Sequence, residues 1–205
     1  MNNFKRYKWL ILIWIIYILL SYYVLPYFLI PFFWFVFVIT LLILGIRNIV
    51  KTFKLINELK QFKIRVFKTI LVFFLFGITF YKVNYFPNLI VEKIDWHLLY
   101  EKRNQIVYQV KNKELEPNVA WNDWICELPF DFPIISNGGN DVGITKNEDK
   151  PTIHFWVFRN FFDNPSTYFI YTENEDDLKY FEKKIKENPK NNWKLKDNWY
   201  RIYDD

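Results

Sequence analysis

Between Lys8 and Arg47 lie 38 consecutive residues without a single Asp, Glu, Lys, Arg or His. A helix rises about 1.5 Å per residue and a bilayer core is about 30 Å thick, so this stretch as one helix, about 57 Å long, overshoots one crossing and suits two. Pro26 and Pro31 bracket Tyr27–Ile30, and Ser21, Tyr22 and Tyr23 sit just before them. Proline breaks a helix interior and interfacial aromatics favour the headgroup level. The pattern predicts a transmembrane hairpin over 9–46, with spans at about 9–25 and 27–46, after a short N-terminal segment 1–8.

A third span is predicted over 66–86. Only Thr69–Tyr81 separates Lys68 from Lys82, which is short, but lysines near helix ends can snorkel to the interface. The rival reading is a helix lying in the interface plane. Ile70–Phe80 is apolar all round rather than striped, which favours a span.

Charge sets the expected orientation. Residues 1–86 carry eleven Lys/Arg against one acid, Glu58, whereas residues 87–205 carry 16 Lys/Arg against 21 Asp/Glu. Lys5, Arg6 and Lys8 precede the first span. Seven cations, from Arg47 to Lys68, lie between the second and third, and none lies between the first and second. The positive-inside rule then places the N-terminus and a basic loop or helix at 47–65 in the cytoplasm, and the domain at 87–205 outside. Positive charge between apolar spans argues for topology rather than nucleic acid, which is not an expected partner. The start lacks a small-x-small cleavage site, with bulky Tyr22, Tyr23 and Phe28 in that region, so an uncleaved anchor is expected. Ile49, Phe53, Ile56 and Leu59 stand among lysines at helical spacing. They suit either a basic amphipathic helix on anionic lipid or cytoplasmic extensions of the flanking spans.

The polar region reads as an α+β domain with a small antiparallel sheet. Residues 88–113 are helical, as one helix or two with a break near Arg103. Leu89, Ile90, Ile94, Leu98 and Leu99 make the apolar stripe, and Glu116–Pro117–Asn118 stops the helix. Strands are predicted at Trp124–Leu128, Asp141–Lys146, Thr152–Phe158, Thr167–Thr172 and Trp199–Tyr203, with a Gly turn at Ser136–Asn140. Asp176–Glu187 is an amphipathic helix, with acids leading and lysines closing. The expected arrangement is a meander with helices on one side.

No catalytic constellation emerges. His97 and His154 are far apart in sequence, and no H-x-x-H pair exists. None of the three serines sits in G-x-S-x-G. Cys126, the lone cysteine, lies in a predicted strand and reads as a buried thiol. The expectation is therefore no catalytic residue, metal or cofactor. Arg159 is the most informative polar residue: it follows the most hydrophobic strand and precedes Phe161, Phe162 and Asp163. It either pairs with Asp163 to fix the loop or presents its guanidinium to a ligand carboxylate. Phe161 and Phe162 either pack in the core or form an apolar edge for a partner. These four residues are the candidate binding site.

The order Glu116–Pro117–Asn118, Leu128–Pro129, Gly138–Gly139, Phe158–Arg159–Asn160 and Asn198–Trp199–Tyr200 resembles a group of bacterial membrane-anchored proteins with a small extracytoplasmic α+β domain. In that group the order runs KPN, LP, a Gly-rich turn, FRG and NWY, and Asn160 stands here for its glycine. The resemblance implies a recurring compact domain and no activity. The expected protein is a multi-pass resident of the bacterial cell (inner) membrane. Its partners are the lipid bilayer and another envelope protein or a small ligand. A membrane-tethered envelope enzyme and an accessory subunit of a membrane complex are the alternatives.

Overall fold

The computed structural model describes residues 2–23, 29–54, 59–81, 85–147, 150–159 and 165–204. The chain forms two compact units, Met1–Val91 and Glu92–Asp205.

The first unit contains α1 (Asn2–Tyr23), α2 (Leu29–Phe53) and α3 (Leu59–Tyr81). They pack around Leu41, Val72 and Leu75, with Trp14, Phe37 and Phe76 closing over that core. Two indole N–H groups converge on Thr79. Trp14 Nε1 donates to its hydroxyl at 2.9 Å and Trp34 Nε1 to its carbonyl at 2.8 Å. These bonds satisfy the polar handles of two partly buried tryptophans packed among apolar side chains. Tyr17 stacks on Phe37 with centroids 5.0 Å apart, tying α1 to α2.

Three membrane crossings are not what these helices allow. Among the described residues only Phe32–Phe53, in α2, is long and apolar enough to cross a membrane, by length and composition. The apolar part of α1, Lys8–Tyr23, is about 24 Å of helix, short of the hydrocarbon core. The first turns of α3 carry Lys60, Lys63, Arg65 and Lys68, so its uncharged run begins only at Thr69. The spans expected at 9–25 and 66–86 are corrected accordingly, and the one expected at 27–46 moves to 32–53. The outside placement of the second domain, which followed from three crossings, loses its basis with them. The basic segment expected at 47–65 is split between the end of α2 and the start of α3; residues 55–58 lie outside the described set, as do 24–28 and 82–84.

The second unit is built on a six-stranded antiparallel sheet. Its strands are β1 (Ile125–Glu127), β2 (Asp141–Asn147), β3 (Lys150–Phe158), β4 (Ser166–Thr172), β5 (Trp193–Lys196) and β6 (Trp199–Asp204), in spatial order β1-β2-β3-β4-β6-β5. The strands expected from alternation are present within one or two residues. The sequence reading had no counterpart for β5, because Lys194 and Lys196 interrupt any apolar run. It forms a hairpin with β6 through Asp197 and Asn198, the latter at φ 63°. Asparagine tolerates that left-handed conformation.

Helix α4 (Tyr85–Lys111) is continuous past Arg103. Its residues from Glu92 onward cover one sheet face, where Trp96 packs edge-on against Phe169 and Trp199. Helix α5 (Glu175–Glu187) covers the other face, where Phe181 packs with Ile170, Tyr200 and Ile202, and Leu178 and Ile185 flank it. The expected placement of both helices on one side is therefore wrong. Side chains alternate along a strand, and β4 and β6 present apolar residues on both faces (Phe169 and Trp199 on one, Ile170, Tyr200 and Ile202 on the other), so each face needs a cover. Helix α5 is locally encoded: the Asn174 side chain caps it by accepting from the N–H groups of Asp176 and Asp177.

The buried stripe of α4 is not the expected one. Ile90, Ile94 and Leu98 are exposed, whereas Glu92, Asp95, Trp96, Arg103, Val107 and Val110 are buried. Two ion pairs explain the choice. Arg103 Nη2 donates to Asp95 Oδ2 at 2.5 Å, and Arg201 Nε donates to Glu92 Oε1 at 2.9 Å. A buried charge is tolerated only when paired and hydrogen-bonded, so these pairs and Trp96 set the rotation of the helix.

Candidate functional site

The Gly-containing turn after Ile135 is held by its asparagines. Asn140 Oδ1 accepts from Ile135 N at 2.9 Å, and Asn140 Nδ2 donates to Phe130 O at 2.9 Å. Asn137 Nδ2 donates to Val157 O at 2.7 Å, and Ser136 Oγ accepts from Trp156 N at 2.9 Å. Gly138 and Gly139 lie at φ 88° and 147°, where a Cβ would be strained. The turn is thereby fastened to the end of β3.

At that end the register of β3 against β4 shifts between Trp156 and Phe158. Such bulges re-aim the chain and are common beside functional sites. Arg159 follows the bulge. Its Nη1 donates to both carboxylate oxygens of Asp141, at 2.7 and 2.8 Å, and its Cζ sits 4.4 Å from the centroid of the Trp156 ring. A guanidinium this close over an indole gains a cation–π contribution. A Cβ on Gly138 would also lie 3.1 Å from Arg159 Cδ, a tight contact to which the arginine side chain would have to yield.

Trp156 begins a row of aromatic rings on the face of the sheet that α5 covers further along. Its ring is 5.5 Å from Trp124 and 5.6 Å from Tyr168, and His154 lies 6.0 Å from Trp124 and 5.6 Å from Tyr168, edge-on to both. The pairing Trp156↔Tyr168 and the alternation of β3 put these groups together. Trp124 lies flat over Gly143, where a Cβ would come within 2.1 Å of its ring. Trp124, His154 and Tyr168 are half-buried. The result is a partly exposed aromatic shelf of mixed Trp, Tyr and His, closed at one end by a cation. Burial holds the His154 imidazole well below its ordinary pKa, down to about 4, against the opposing pull of Asp204 and Asp177. The ring is therefore neutral at pH 7 and behaves as an aromatic with one polar edge.

Of the sequence-derived candidates, Arg159 is at the shelf, where it pairs with Asp141. Phe161, Phe162 and Asp163 lie outside the described residues. The shelf itself was missed, although His154 and Trp156 at period two, facing an aromatic in the next strand, were its signal. Cys126 is fully buried in β1, where desolvation, then Asp141 and Glu127, push its thiol up. Among the described residues no group of three or more His, Cys, Asp or Glu is placed to hold a metal ion. Neither a family model, nor a curated protein, nor a solved structure matches the chain.

Proposed function

We propose that this chain is a membrane-anchored binding protein of a bacterial cell. Helix α2 crosses the bilayer, and the α+β domain engages another protein or a small ligand through the shelf around Arg159. The anchor rests on α2: only 22% of its apolar stretch is buried within the protein, which favours a lipid-facing helix over the core helix of a soluble bundle. Exposed Ile and Leu side chains on α1 and Ile and Phe side chains on α3 extend the same apolar surface. Kinship with the membrane-anchored proteins that share the Gly-turn and FRG-like order belongs to this proposal.

With one crossing, the cations that follow α2 (Lys54, Lys60, Lys63, Arg65 and Lys68) outweigh the three that precede it. The positive-inside rule then puts the α+β domain on the cytoplasmic face. Full-length protein should stay in the membrane pellet through alkaline carbonate and need detergent for extraction. A fluorescent reporter after Asp205 should be active in the cytoplasm. Release by carbonate removes the anchor, and a periplasm-active reporter reverses the orientation.

The single observation that carries the binding role is the Arg159 guanidinium held over Trp156, where it closes one end of the half-buried rings of Trp124, His154 and Tyr168. Aromatic and arginine side chains in this combination dominate binding hot spots. A photo-crosslinking amino acid at Tyr168 in cells should give a discrete adduct, lost with Arg159→Ala, while the same probe at Lys183, on the solvent side of α5, should give none. Equal labelling from both positions, or none from Tyr168, overturns the reading.

A further inference from the structure

The four rings of the shelf close a circuit. Their centroids lie 5.5 Å apart from Trp124 to Trp156, 5.6 Å from Trp156 to Tyr168, 5.6 Å from Tyr168 to His154 and 6.0 Å from His154 back to Trp124. The rings are steeply inclined to one another. His154 stands at 87° to Trp124 and 85° to Tyr168, and Trp156 at 48° and 54° to the same two. Rings tilted in this way make no broad plane, which a nucleobase or the flat side of a sugar needs. They suit a compact, rounded group that touches several rings at once. Trp124, His154 and Tyr168 are half-buried, so each keeps an exposed part for such a contact.

An aromatic face carries partial negative charge and attracts a cation within about 6 Å of its centroid. The fold already uses this attraction once, with Arg159 Cζ 4.4 Å from the Trp156 centroid. Among the described residues no cation sits over Trp124 or Tyr168. The charge of Arg159 is offset by Asp141, whose carboxylate oxygens lie at 2.7 and 2.8 Å. The neutral His154 ring sets no like charge against an incoming cation, and the carboxylates of Asp204 and Asp177 both act on it. A primary ammonium brings three N–H donors that need acceptors, and the four rings offer only an imidazole nitrogen and the Tyr168 hydroxyl. A quaternary ammonium has no N–H to satisfy, is round, and spreads its charge over its methyl groups. We propose that the shelf binds an organic quaternary ammonium of the choline type. This inference rests on the binding role proposed for the shelf and names its ligand class.

The test uses the full chain in a maltoside detergent, with isothermal titration calorimetry as the readout. Choline is the probe. Its comparison is 3,3-dimethyl-1-butanol, which has the same shape with a neutral carbon in place of the nitrogen. Choline should bind saturably, one to one, at least tenfold tighter than the alcohol. Tyr168→Leu and Trp124→Leu should each weaken choline at least fivefold. Tyr168→Phe keeps the ring and should bind within twofold of wild type, as should Tyr108→Leu, which removes an exposed ring of α4. If a leucine variant fails to fold, the choline-to-alcohol ratio of the wild type still decides. Dihexanoylphosphatidylcholine at least tenfold tighter than choline identifies a choline lipid as the source, and any weaker binding identifies a soluble ligand; either supports the proposal. No choline binding, equal affinity for the alcohol, tighter binding of methyl glucoside, or equal losses at Tyr168 and Tyr108 overturns it. A Tyr168 photo-adduct that persists in cells without choline binding overturns the cation ligand and leaves the binding role standing. Absence of both removes the binding role as well.

Discussion

Arg103 Nη2 lies 2.5 Å from Asp95 Oδ2, and the two side chains are 3% and 2% exposed. The same guanidinium donates through Nε to Ile135 O at 3.0 Å and sits 4.8 Å from the Phe169 ring. One residue of α4 thus ties the helix to the segment before the Gly turn and to the sheet. Removing one partner of such a buried pair leaves an uncompensated charge, at a cost of about 3–5 kcal/mol. Asp95→Leu alone should therefore destabilise the protein by about that much in urea unfolding followed by Trp fluorescence. Arg103→Met should do likewise and also strand the Ile135 carbonyl, about 1 kcal/mol more. The double variant should lose clearly less than the sum of the singles. Strict additivity would show that the two groups are not coupled.

His154 makes stability depend on acid. Its ring takes up a proton near pH 6.5 in the unfolded chain but only near 4 when folded. The unfolded state therefore binds more protons between those values. The stabilisation is complete above about pH 6.5 and is lost as pH falls toward 4, by up to about 3 kcal/mol. Carboxylates also titrate near the lower end, so the difference between wild type and His154→Phe isolates the histidine. Unfolding free energies measured from pH 7.5 to 4 should fall less steeply for the variant. Parallel curves would mean that His154 is as well solvated folded as unfolded.

Gly143 is the floor under Trp124. A Cβ there would approach the ring to 2.1 Å, so Gly143→Ala should displace Trp124 and cost about 1–3 kcal/mol as an overpacked site. In a Trp124→Ala background the same substitution should cost little, because the obstructing ring is gone. Thermal unfolding of the four proteins reads the coupling, and an equal cost in both backgrounds would point to a backbone cause instead.

Two glycines in the helical unit should respond in opposite directions. A Cβ on Gly45 would meet the Phe73 ring at 2.9 Å, whereas one on Gly77 meets nothing within 4 Å. Gly45→Leu should separate α2 from α3 and lower Tm in detergent. Gly77→Ala should hold or raise it, by up to the roughly 1 kcal/mol that separates Gly from Ala in a helix. A drop at both positions would mean that Gly77 is covered in solution.

What the sequence could determine was local. The uncharged run after Lys8, the period-two strands from Trp124 to Thr172, the Gly turn and the charge-graded helix α5 each carry their signal within a few residues, because backbone propensity and side-chain periodicity act at that range. Tertiary structure decided what depends on partners distant in sequence. The buried face of α4 was set by Arg201 reaching Glu92 and by Trp96 meeting Trp199, not by the stripe of Ile90, Ile94 and Leu98. Arg159 meets Asp141, on the neighbouring strand β2 and well before it in the chain, because the sheet brings the two together. Strand β5 exists because β6 offers it a hydrogen-bonding edge. Charge and hydrogen-bonding groups are satisfied wherever the fold brings a counterpart, and separation along the chain does not report that distance.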